Sequence, residues 1–161
     1  MTEIAISFRP AEAADFPRLA EMFARLNAYY YQVGYRLPRP EDVGQAWVES
    51  FQRTLGRFSN VFVAVARETL AGMILCRVKR LPQHMGGVMV GEISDIWVEP
   101  AYRRERLGEQ LVQLGLDWLR QQAVHSVEIQ VLSGNESAWR FFEGLGFELE
   151  YRAARLILES Q

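Results

Sequence analysis

Val98-Glu99-Pro100-Ala101-Tyr102-Arg103-Arg104-Glu105-Arg106-Leu107-Gly108 decides how this chain is read. Upstream of it, Val88 to Val98 is a long, mostly apolar stretch that Pro100 terminates, which reads as a strand. Downstream, Leu107, Leu111, Leu114 and Trp118 recur at helical spacing and make one apolar face. The quoted segment is therefore a strand-to-helix turn, and Arg103, Arg104 and Arg106 cluster where that helix begins. Cations there meet the positive end of the helix dipole, at a cost of roughly 0.3–1 kcal/mol each. Two arrangements remove that conflict. An anion can sit over the free N–H groups, as phosphates do at helix N-termini, or Glu99, Glu105 and Glu109 can neutralise the arginines on a solvated face.

Working outward, Val127 to Val131 reads as the next strand, so 88–131 forms a strand–helix–strand unit with parallel strands. Ser133-Gly134-Asn135 is a turn, and Asn135 caps a helix carrying Ala138, Phe141, Phe142 and Leu145 that Gly146 ends. Phe147 to Leu158 reads as a last strand. Toward the N-terminus, Val61 to Ala66 and Gly72 to Val78 form an antiparallel hairpin around Arg67-Glu68-Thr69. Ile4 to Phe8 is a short strand, and Val43, Trp47, Phe51 and Leu55 mark a helix. Another helix starts with Asp15 as N-cap and Pro17 in its first turn, and carries Leu19, Met22, Phe23 and Leu26. Asn27 to Pro40 is aromatic and reads as irregular. The result is an α/β chain with a mixed sheet.

Composition bounds what such a chain does. Its 161 residues suit one domain, with 49% hydrophobic and 24% charged residues. Eighteen basic against 20 acidic residues give a net charge of −2, without the basic field of a nucleic-acid binder. Cys76 is the lone cysteine, which excludes an internal disulfide and a multi-cysteine zinc site, and His84 and His125 lack ligand spacing, so no metal is expected. His84 reads as an exposed loop residue and Cys76 as a small core residue. The first residues do not read as a signal peptide, and no apolar run has the length of a membrane span. A cytoplasmic protein is the expectation.

Two motifs carry a resemblance. Arg103-Arg104-Glu105-Arg106-Leu107-Gly108 follows the pattern Arg/Gln-x-x-Gly-x-Gly/Ala, with Arg106 at the middle glycine. Asn135, Ala138, Phe141, Gly146 and Phe147 follow Asn-x-x-Ala-x-x-hydrophobic-Tyr-x-x-x-Gly-Phe, with Phe142 at the tyrosine. In these motifs the chain resembles the GNAT family of N-acetyltransferases, over nearly all its length and most closely from Gly91 to Phe147. The resemblance implies a single GNAT domain over residues 1–161, with a mixed central sheet of about six or seven strands flanked by helices on both faces. It implies acetyl-CoA as co-substrate and direct attack of a primary amine, from a small molecule or a protein, on the thioester. A non-enzymatic acyl-CoA-binding module of the same fold is the alternative. A homodimer is expected.

The resemblance also distributes roles. It places the pyrophosphate on Arg103, Arg104, Glu105, Arg106, Leu107, Gly108 and Glu109, the pantetheine arm along Ile96, Trp97 and Val98, and the remaining cofactor contacts at Asn135 and Phe142. It places Phe142 beside the sulfur, where the family's tyrosine protonates the leaving thiolate. A side chain at position 106 disfavours the left-handed conformation by roughly 1–2 kcal/mol, so either a near right-handed turn or phosphates held slightly farther out are expected. Tyr29, Tyr30 and Tyr31 fall in the segment that lines the acceptor site in similar proteins. Glu92 falls where one branch of the family keeps its general base, and partial burial would raise a carboxyl pKa toward that task. Strand alternation puts Glu92, Ser94, Ile96 and Val98 on one face and Ile93, Asp95 and Trp97 on the other, unless a bulge intervenes. A structural, ion-paired role is the competing reading of both carboxylates.

Overall fold

Two apolar clusters, one on each face of a single sheet, organise the chain. The computed structural model describes residues 3–103 and 105–159. Strands β1 (Ile6–Pro10), β2 (Ser59–Ala66), β3 (Thr69–Arg80), β4 (Met89–Val98) and β5 (Val127–Ile129) lie in sequence order across the sheet. The pairs β1–β2, β2–β3 and β3–β4 are antiparallel, and β4–β5 is parallel. Helices α1 (Phe16–Gln32) and α2 (Val43–Phe51) cover one face, and α3 (Leu107–Gln121) and α4 (Glu136–Gly144) lie on the other side.

Alternation along the strands supplies both faces. Val61, Val63, Met73 and Leu75 pack against Leu19, Met22 and Phe23 of α1 and Trp47 and Phe51 of α2. Ala64, Ala71, Ile74, Cys76 and Ile93 pack against Leu107, Leu111, Val112 and Leu119 of α3. Phe23 and Trp47 stack at 4.7 Å between ring centroids and lock α1 to α2. On the other face α3 comes close to β3, because a Cβ added at Gly115 would stand 2.7 Å from Cys76 Sγ. Burial pushes the Cys76 thiol up to about 12, so it remains protonated and serves as a small apolar group.

Three expectations are corrected. Among the described residues the sheet has five strands, because residues 147–159 form neither strand nor helix. Tyr29, Tyr30 and Tyr31 belong to α1, which runs on to Gln32. Asp15 does not cap α1 with its side chain; it is turned back to pair with Arg9 at 2.7 Å and to accept from the Glu12 N–H.

Candidate functional site

The site begins with one extra residue. The pairing of β3 with β4 shifts after Leu75↔Asp95, so that Cys76 faces Ile93 and Ser94 is left over as a bulge. The bulge resets the alternation. Ile93, Ile96 and Val98 turn to the α3 side, whereas Trp97 joins the α1–α2 side and Asp95 bonds to residues of those helices. Glu92 is joined to the same network through Ser94, so the regular alternation expected for this strand is overturned from Ser94 onward. The same place marks a second break. β5 pairs with Gly91, Glu92 and Ile93 and no further, so beyond the bulge β4 has no strand on that side among the described residues.

Two carboxylates flank the break. Asp95 accepts hydrogen bonds from Tyr30 Oη and Trp47 Nε1, both at 2.9 Å. Its pKa is raised, first by burial; the two donated bonds and the charge of Arg77 oppose that, and the negative charge of Glu92 adds to it. Burial, with Asp95 beside it, also raises the Tyr30 phenol, which therefore stays protonated as a donor. Glu92 accepts from Ser94 Oγ at 2.6 Å and lies 3.6 Å from Lys79 Nζ. Lys79 also pairs with Glu128, directly opposite Glu92 on β5, and that hydrogen bond raises the lysine's pKa. Arg77 donates to Ser94 Oγ at 3.3 Å and to Ser50 Oγ at 2.7 Å. The result is a chain of polar groups from α2 across β3 and β4 to β5.

At the far end of β4 lies the strand-to-helix turn. Arg106 occupies the left-handed region, with φ 56° and ψ 27°, at the N-cap position of α3. This corrects the expectation of right-handed geometry: the path into α3 requires the conformation that glycine adopts freely, and the arginine adopts it at a cost of roughly 1–2 kcal/mol. Among the described residues no side chain caps α3, so its first-turn N–H groups are available to an anion. Arg103 donates from Nε to Val98 O at 3.0 Å and lays its guanidinium 4.7 Å over the Trp97 ring, which fastens the turn to the end of β4. Leu107 is a core residue, so only its backbone can serve a ligand, and Phe141 packs against Gly108. Glu105 closes the turn through its N–H to Tyr102 O, and Glu109 sits in the first turn of α3. Arg104 lies outside the described residues.

The three tyrosines separate. Tyr29 Oη donates to Asn135 Oδ1 at 3.2 Å, joining α1 to the cap of α4, where the same oxygen accepts from Ala138 N. Tyr30 serves Asp95. Tyr31 donates to Leu37 O at 2.7 Å and stacks under Arg39, which ties it to the loop after α1. Gly134 meets the end of α1 so closely that an added Cβ would stand 2.1 Å from Val33 O. Phe142 is 5% exposed and packs edge-on against Phe141 and Phe147 within the α3-side core.

Sequence reasoning missed Arg77, Lys79, Trp47, Ser94 and Glu128. Their one trace was a pair of carboxylates in an otherwise apolar strand. A CoA-type ligand fits this framework. An uncapped helix start would receive its phosphates, a strand edge without a partner would receive its amide-bearing arm, and Trp97 Nε1 is buried with no hydrogen-bond partner among the described residues.

Comparisons with known proteins agree with that geometry. A family model described as the Acetyltransferase (GNAT) family matches residues 19–147. A glucosamine 6-phosphate N-acetyltransferase of Trypanosoma brucei brucei is 27% identical over 160 residues, covering 98% of this chain and 100% of the relative. An N-alpha-acetyltransferase 30 of Schizosaccharomyces pombe is 27% identical over 86 residues, 53% of this chain, which spans only 55% of that relative. Among solved structures, the aminoglycoside N-acetyltransferase AAC(6')-Iy in complex with CoA superposes with a TM-score of 0.77 at 16% identity, covering 99% of this chain and 98% of that one. At such identity the likeness speaks for the fold.

Proposed function

The chain belongs to the acetyltransferase (GNAT) family, and on that premise we propose that it moves an acetyl group from acetyl-CoA to the primary amine of a small molecule. The observation that carries the reading is the parting of β4 from β5 at the Ser94 bulge, with open α3 N–H groups at one end and the Glu92–Asp95 carboxylates at the other. Acetyl-CoA supplies the thioester. The first-turn N–H groups of α3, with Arg106, hold its pyrophosphate, and the unpaired edge of β4 from Ile96 to Val98 holds its amide-bearing arm. Glu92, kept in place by Ser94 and Lys79, takes the proton of the attacking amine. Asp95, anchored by Tyr30 and Trp47, orients the ammonium end of the acceptor. A small acceptor is favoured because the relative matched along its whole length is named for an amino-sugar phosphate.

Phe142 supports a second reading, an acyl-CoA-binding module without turnover, because a buried phenyl ring offers no proton to a leaving thiolate. Thiolates leave unassisted far better than alkoxides, since a thiol pKa lies near about 8.5. The enzyme reading therefore needs no acid at that position. The test is release of CoA thiol from acetyl-CoA with a panel of amino sugars, aminoglycosides and peptide N-termini. Turnover with one of these is expected. Glu92→Gln should lower kcat/KM by about 10²–10⁴-fold, with CoA affinity unchanged. Acetyl-CoA binding without turnover of any amine would establish the module instead.

A further inference from the structure

Glu92 has an arginine directly opposite it and does not pair with it. In the β3–β4 ladder Arg77 faces Glu92, a position from which an arginine commonly grips a carboxylate. Among the described residues the ion pair of Glu92 runs to Lys79 instead. Arg77 spreads its fork between two hydroxyls: Nη1 donates to Ser94 Oγ at 3.3 Å and Nη2 to Ser50 Oγ at 2.7 Å. A guanidinium only donates, so each hydroxyl must accept from it and send its single proton elsewhere. Ser50 sends its proton to Trp47 O at 2.6 Å, and Ser94 sends its own to Glu92 Oε1, also at 2.6 Å. Both hydroxyls are thereby fixed in direction by one cation that keeps its charge at every working pH.

The consequence lies at the two oxygens of Glu92. Oε1 is taken by the Ser94 proton. Oε2 stands 3.6 Å from Lys79 Nζ, beyond hydrogen-bond reach, and keeps its lone pairs open. Without Arg77 the Ser94 hydroxyl can turn, and Glu92 loses the bond that tells its oxygens apart. We infer that Arg77 is a positioning residue for the proton transfer: it aims Ser94 at Oε1 and so leaves Oε2 to take the proton of the attacking amine. The inference rests on the acyl-transfer reading. In that reaction the amine nitrogen bonds to the acetyl carbonyl carbon, the carbon–sulfur bond breaks with its electron pair on CoA, and the amine proton passes to Glu92. Arg77 acts through Ser94 rather than on either reactant, and it ties the base to α2 through Ser50.

Steady-state kinetics with the best acceptor of the amine panel tests it. Arg77→Met should lower kcat by about 10²-fold, the scale of a misplaced catalytic group, with the KM for acetyl-CoA unchanged. Ser94→Ala should lower kcat as well, and Ser94→Thr, which keeps the hydroxyl, should restore most of the rate. Arg77→Lys keeps the charge without the two-pronged fork and should fall with Arg77→Met. The deciding measurement is made in the Glu92→Gln background. With no base left to aim, Arg77→Met should lower the residual rate no further, whereas a merely structural arginine would lower it again. Circular dichroism reports the fold of each variant, and Arg77→Lys serves the same cycle if Arg77→Met unfolds. Wild-type kcat in the Arg77 variants, wild-type kcat in Ser94→Ala, or a further loss in the Glu92→Gln background would each overturn the inference and leave Glu92 as the base. A Glu92→Gln variant as fast as wild type would instead remove the base reading, and this inference with it.

Discussion

Arg106 and Asp95 each hold a locally unfavourable state inside the candidate site. Arg106 holds a left-handed backbone with a side chain attached. Arg106→Gly should therefore raise stability by about 1 kcal/mol in urea titration while weakening acetyl-CoA binding through the lost cation. The conformation was illegible because local preference opposes it; the closure of the turn by Arg103 on Val98 and the packing of Leu107 enforce it. For Asp95, burial raises the folded-state pKa above the unfolded value near about 3.9. The folded chain thus holds this proton more tightly than the unfolded chain. The resulting stability is fully present below the unfolded pKa and is lost as pH rises through the raised folded pKa. Asp95→Asn does not titrate, so wild type should lose stability relative to it across that window, and a pH series of urea titrations reads the difference. Asp15, held below its usual range by Arg9, acts in the opposite direction but is common to both proteins and cancels. No trend in the difference would mean that the Asp95 carboxyl is effectively solvated.

At the scale of elements, composition located β4 and α3 well, since an unbroken apolar run and a regular helical stripe are strong signals. It could not place the bulge, which exists only in the register between β3 and β4 and assigns Asp95 and Trp97 to their face. It also ended α1 too early. Asn27 to Gln32 has weak helix propensity, and the contacts of Tyr29 with Asn135 and Tyr30 with Asp95 carry the helix through it. The seat of α3 on β3 gives a prediction of its own. Gly115→Ala gains about 1 kcal/mol of helix propensity but drives a methyl group against Cys76 Sγ, an overpacking worth about 1–3 kcal/mol. The variant should be destabilised on balance. Cys76→Ala should cost less in the Gly115→Ala background than in wild type, which a double-mutant cycle by thermal unfolding measures.

For the whole molecule, the two-faced sheet and its helical layers were legible because alternating strands and striped helices have few ways to bury their apolar sides. The strand count was overestimated because residues 147–159 have the composition of a strand but find no ladder within their own chain. The proposed acyl-CoA site spans β4 and the start of α3, so ligand binding should stabilise the fold as one unit. At a free CoA concentration 100 times its Kd, the gain is about 2.7 kcal/mol, which for a chain of this size raises the Tm by about 5–11 °C. Dephosphorylated pantetheine at the same concentration should give a much smaller shift if the turn at Arg106 holds the phosphates. Equal shifts would place the binding energy elsewhere.

The Ser94 bulge gives this chain a residue to spare. Ile93 faces Cys76 and Asp95 faces Leu75, so Ser94 is the one residue of β4 without an opposite number on β3. Loss of its codon would close the ladder with both of those pairs intact, and Asp95 and Trp97 would stay on the α1–α2 face while Ile96 and Val98 stay toward α3. What would go is the polar chain, because Glu92 and Arg77 both lose the Ser94 hydroxyl that joins them. Descendants of this sequence can therefore shorten the stretch by one and keep both faces of the sheet, at the expense of the link between its two halves of charge.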